Sequence, residues 1–70
     1  MTKMVTIANF VTESNEKIAV RRDPNGKYWN EYNIGTSPCN AGPFFHLWDA
    51  LDMVRKHRPD AHLIRGQKIW

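Results

Sequence analysis

Asp23-Pro24-Asn25-Gly26 decides how this chain folds, because of what flanks it: Lys17-Ile18-Ala19-Val20-Arg21-Arg22 before, Lys27-Tyr28-Trp29-Asn30-Glu31-Tyr32-Asn33-Ile34 after. Pro24 presets φ for the second position of a type I turn, and Asp23 suits the first. Gly26 accepts the left-handed conformation that closes a three-residue hairpin loop with a bulge. In that register Asp23 faces Lys27, Arg22 faces Tyr28, Val20 faces Asn30 and Ile18 faces Tyr32. One face then carries Ile18, Val20, Tyr28, Tyr32 and Ile34. The other carries Lys17, Ala19, Arg21, Trp29, Glu31 and Asn33. A two-residue Asn25-Gly26 loop would slip the register by one and set Ile18 and Val20 beside Asn33 and Glu31. Such a slip sends the whole apolar set to the wrong face, so the hydrophobic pattern selects the three-residue loop.

Working outward, Met4 to Thr12 is rich in β-branched and apolar residues and reads as a strand before the hairpin. Glu13 to Glu16 is a polar turn. Gly35 to Gly42 holds Gly, Thr, Ser, Pro and Asn and no large apolar residue, which reads as a loop. Pro43 then suits the first position of a helix, where its missing N–H costs nothing. Phe44, Leu47, Leu51 and Val54 recur at three- and four-residue spacing and form a buried stripe, with Trp48 beside it. Arg55, Lys56, His57 and Arg58 fill a last turn, where the helix dipole favours cations. Pro59 ends the helix by Arg58. Ala61 to Arg65 reads as a short last strand, and Gly66 precedes a tail ending in Trp70.

The expected architecture is an α+β domain of order β-β-β-α-β spanning residues 1–70. A three-stranded antiparallel meander carries one helix on one face. The short fourth strand lies beside the first and parallel to it, through a right-handed crossover. One helix covers one face only, so Trp29, Arg21, Lys17 and Glu31 are expected on an open face unless a partner or the Trp70 tail covers them.

Seventy residues make one small domain, which buries only ~60% of its unfolded surface. With 41% hydrophobic and 24% charged residues the composition is that of a globular rather than a disordered chain. No apolar stretch approaches the ~18 residues of a membrane span. Met1 to Met4 lacks the apolar core of a signal peptide. The lone Cys39 excludes an internal disulfide and suits a reducing cytoplasm. The formal charge of +3 is uneven: −1 over residues 1–16, +2 over 17–34, −2 over 35–54 and +4 over 55–70. A basic end of this kind suits an acidic partner.

Little here points to catalysis, a metal or a cofactor. His46 and His57 are eleven residues apart, ~16 Å along a helix, too far to share an ion. Cys39, His46 and Asp49 are the residue types of a nucleophile, base and orienter, but their spacing does not bring them together. Asp52 precedes Arg55 by three residues and Lys56 by four, which is ion-pair spacing. The loop before the helix lacks the Gly-Lys-Ser or Gly-Lys-Thr that closes a P-loop.

What remains is a surface. Tryptophan and arginine dominate interface hot spots, and Trp29 opposite Arg21, rimmed by Lys17 and Glu31, forms such a pair. This favours a non-enzymatic module that occupies a protein partner's surface, as small phage and mobile-element inhibitors of host machinery do. The partner would be acidic or would itself handle nucleic acid. The alternative is a DNA- or RNA-binding module using Arg21, Arg22, Lys27 and Trp29. Over residues 17–57 the layout resembles the sheet-reading DNA-binding domains of tyrosine integrases and AP2-type plant factors. That resemblance implies major-groove readout from the open sheet face. Glu31 on that face departs from it, since phosphates repel a carboxylate. An open face and a free strand edge also permit a homodimer.

Overall fold

The computed structural model describes residues 4–64. Among them the chain forms β1 (Val5–Val11), β2 (Lys17–Arg22), β3 (Tyr28–Tyr32), β4 (Cys39–Phe44), α1 (Leu47–His57) and β5 (His62–Leu63). The strands form one antiparallel sheet in the order β4-β3-β2-β1-β5, with the helix on one side. Gly66 and the Trp70 tail lie outside the described residues, as does Arg65.

The hairpin forms in the register that its turn dictates. Arg22 pairs with Tyr28, Arg21 with Trp29, Val20 with Asn30 and Ala19 with Glu31. Gly26 has φ +83° and donates its N–H to the Asp23 carbonyl at 3.0 Å, and the Asp23 N–H bonds the Lys27 carbonyl at 2.9 Å. The Asp23 carboxylate completes the turn by accepting from the Asn25 and Lys27 N–H groups at 2.9 and 3.0 Å.

Four expectations are overturned, and one omission explains them. Residues 35–42 are not wholly loop, because Cys39–Phe44 is an edge strand paired with β3. Glycine and proline are tolerated at a sheet edge or bulge. Here Gly42 and Pro43 sit in a bulge, where Tyr28 pairs with Phe44 and Asn30 with Ala41. Pro43 therefore does not open the helix, which begins four residues later at Leu47. Phe44 leaves the helical stripe and faces Tyr28 from β4. The extra strand also reverses everything after it: the chain enters the helix from the opposite end of the sheet. Accordingly β5 pairs beside β1 as expected, but antiparallel, with Leu63 opposite Phe10 and His62 opposite Val11.

The core lies between sheet and helix. Ala8, Phe10, Ile18, Val20 and Tyr32 from the sheet meet Ala50, Leu51 and Val54 from the helix, all buried. Leu51 and Val54 take the places their spacing dictates. Trp48, expected beside the stripe, stands 63% exposed. Asn30 occupies the centre of this apolar layer with no exposure and donates Nδ2 to the Ala50 carbonyl at 2.9 Å. That bond ties the middle of the sheet to the middle of the helix. At the far end of the helix the Tyr32 hydroxyl meets His57 Nδ1 at 3.2 Å. There Arg58 Nε also donates to Glu16 Oε1 at 2.6 Å.

Candidate functional site

The side of the sheet away from the helix is built by cross-strand neighbours, which share a face. Thr6, Arg21 and Trp29 form one row across β1, β2 and β3, and Asn9, Ala19, Glu31 and Asn40 form the next, reaching β4. Arg21 Nη2 pairs with Glu31 Oε1 at 2.9 Å, diagonally between the rows. Arg21 Nε is buried and has no hydrogen-bond partner among the described residues.

Trp29 is half-buried, and two contacts hold it. Its indole Nε1 donates to Asp23 Oδ2 at 3.0 Å. Its ring lies on Gly42: a Cβ added there would sit 3.0 Å from Trp29 Cε3 and from the Tyr28 carbonyl oxygen. Glycine at the bulge is therefore what lets the indole approach β4 so closely. The indole bond, followed by the Lys27 N–H, pulls the Asp23 carboxyl below its ordinary value of 3.8. It stays charged through the neutral range.

Met4, Arg21, Asp23, Pro24, Asn25, Trp29, Glu31 and Asn40 enclose a concavity of about 450 Å³. Of the six residues named as a binding surface, the structure gathers Arg21, Trp29 and Glu31 here. Lys17 is on the same side, opposite Val11, but four residues along β2 from Arg21, ~13 Å away. It lines a second, smaller hollow with Asn33 and Ile34. Arg22 and Lys27 belong elsewhere. Arg22 pairs with Val5 and Tyr28 on the helix side, and the Lys27 ammonium sits 5.0 Å over the Phe45 ring.

Met4, Asp23, Pro24, Asn25 and Asn40 complete the concavity and were not singled out as site residues from the sequence. The hairpin register carried a signal for Asp23, since it sets the turn next to Trp29. Asn40 carried none, because β4 was hidden in an apparent loop. Among the described residues no group of three or more His, Cys, Asp or Glu side chains is placed to hold a metal, and no helix is long and apolar enough to cross a membrane. No protein-family model, curated protein or solved structure matches the chain.

Proposed function

We propose that this protein is a non-enzymatic binding module. It occupies the surface of a protein partner through the concavity around Trp29 on the sheet face that the helix leaves uncovered. The observation that carries this reading is the charge inside the concavity. Asp23 and Glu31 outnumber Arg21, and the Arg21 guanidinium is already paired with Glu31. Among the described residues, phosphate oxygens meet two carboxylates there and no uncommitted cation, so a nucleic acid is the poorer occupant. A protein segment is the better one. Trp29 and Met4 supply apolar contact, and the Asp23, Glu31 and Asn40 side chains supply a polar rim.

The test is a pull-down from lysate of the source or host, with nuclease, at low salt and at ~0.3 M salt. It compares the native chain with Met4→Glu and Asn40→Arg, two exposed positions where substitution alters the concavity and spares the core. A discrete protein held by the native chain and released by both variants is the expected result. Recovery of nucleic acid alone, lost steeply with salt, overturns the proposal. So does a protein partner that both variants retain.

A further inference from the structure

The concavity around Trp29 holds a charge that its own residues leave unanswered. Asp23 follows Arg21 by two residues and Glu31 follows Trp29 by two, and all four line the concavity. Arg21 pairs across the strands with Trp29, so the four form a square tied along both diagonals. Arg21 Nη2 meets Glu31 Oε1 at 2.9 Å, and Trp29 Nε1 donates to Asp23 Oδ2 at 3.0 Å. The first diagonal joins opposite charges and the second does not. The Asp23 carboxylate accepts N–H groups from the indole and from the Asn25 and Lys27 backbone. Among the described residues no cation forms a salt bridge with it. Gly42 packs on part of the indole, and the rest lines the concavity. An indole that donates its N–H to a carboxylate is polarised toward a more electron-rich ring, which draws a cation more strongly.

What covers this site follows from what covering it costs. A neutral side chain would strip water from Asp23 and Glu31 without a counter-charge, which is unfavourable. An acidic one would add repulsion. A guanidinium or ammonium group offsets the lost water by donating to the carboxylates while it lies against the ring. Its apolar stem suits the wall made by Met4 and Pro24. We propose that the concavity receives a basic side chain of the partner protein, arginine being the better fit because its planar fork can stack on the indole and still reach a carboxylate. This assignment rests on the proposed function of the concavity and names what the partner inserts there.

Two experiments test it. In the first, acetyl-Gly-Arg-Gly-amide is titrated into the isotope-labelled chain and followed by NMR. Its citrulline counterpart, which keeps the shape and most N–H groups but not the charge, is titrated in parallel. The arginine peptide is expected to shift the Trp29 indole N–H signal, and the citrulline peptide to bind about tenfold more weakly. Glu31→Gln should weaken the arginine peptide by about threefold, the worth of one nearby unit charge in water. Equal binding of the two peptides, or an arginine peptide that leaves the Trp29 signal unmoved, overturns the proposal. In the second, Asn40→Asp joins Asn40→Arg in the pull-down from lysate, so that opposite charges stand at one exposed rim position. Asn40→Asp should hold more partner than the native chain, and Asn40→Arg should release it. A partner lost equally from both overturns the basic side chain and leaves the concavity as a protein site. A partner that Met4→Glu and Asn40→Arg both retain overturns the site itself, and this proposal with it.

Discussion

Asp23 does more than start a turn. One oxygen holds the backbone of Asn25 and Lys27, and the other holds the indole of Trp29. The sign of its pH dependence follows from the lowered carboxyl. The stabilisation is fully present above the ordinary carboxylate value and is lost as pH falls through the lower folded value. Asp23→Asn should therefore lower the melting temperature at neutral pH, by a margin that narrows as pH falls below the ordinary carboxylate value of 3.8 and the native carboxylate takes up its proton. Melting curves of both proteins across that range check this; a constant gap would mean that charge on Asp23 contributes nothing. Asn30 is the other decisive residue. Its parity on the hairpin places it among Val20, Tyr28 and Tyr32, yet amide chemistry in a strand reads as surface. The Ala50 carbonyl that justifies its burial comes from twenty residues away, which no local pattern encodes.

At the scale of elements, the hairpin was legible because its turn chemistry and its hydrophobic alternation agree on one register. The helix core was legible too, since Leu51 and Val54 repeat on one face. Leu51→Ala should cost ~2–5 kcal/mol in urea unfolding. Trp48→Ala, three residues earlier, should be nearly neutral because its ring is 63% exposed. Equal losses at both positions would contradict the way the helix is seated. β4 was not legible. Its composition is that of a loop, and it is ordered by tertiary pairing with β3 rather than by its own propensity. Missing one strand inverted the direction of the last one, because each antiparallel strand added before a helix changes the end at which that helix starts. The candidate site inherited both outcomes. Arg21, Trp29 and Glu31 follow from the hairpin register, whereas Asn40 and the Gly42 platform under Trp29 depend on β4.

Across the described residues, polar contacts fasten the last turn of the helix as well as its middle. Arg58 bonds Glu16 and lies 5.3 Å over the Tyr32 ring, and His57 meets the Tyr32 hydroxyl. Arg58→Ala should cost about 1 kcal/mol in denaturant unfolding, the worth of a part-exposed ion pair together with a cation–π contact. It should also speed hydrogen exchange in the last turn of α1 before it affects β2 or β3. Uniform acceleration would show that sheet and helix open as one unit.

The opposite end, around the hairpin tip, carries the concavity on one side of the sheet and, on the other, Tyr28 and Phe44 packed against the core beside Leu47. Met4 and Val5, Arg21 and Arg22, and Tyr28 and Trp29 are successive residues that serve opposite sides of it. The two surfaces share one backbone, a peptide's thickness apart. A ligand that stiffens that backbone from one side has already met part of the entropy cost of ordering it from the other. By thermodynamic linkage, whatever steadies the packing of Tyr28 and Phe44 on one side favours binding in the concavity on the other, and filling the concavity steadies that packing by the same factor.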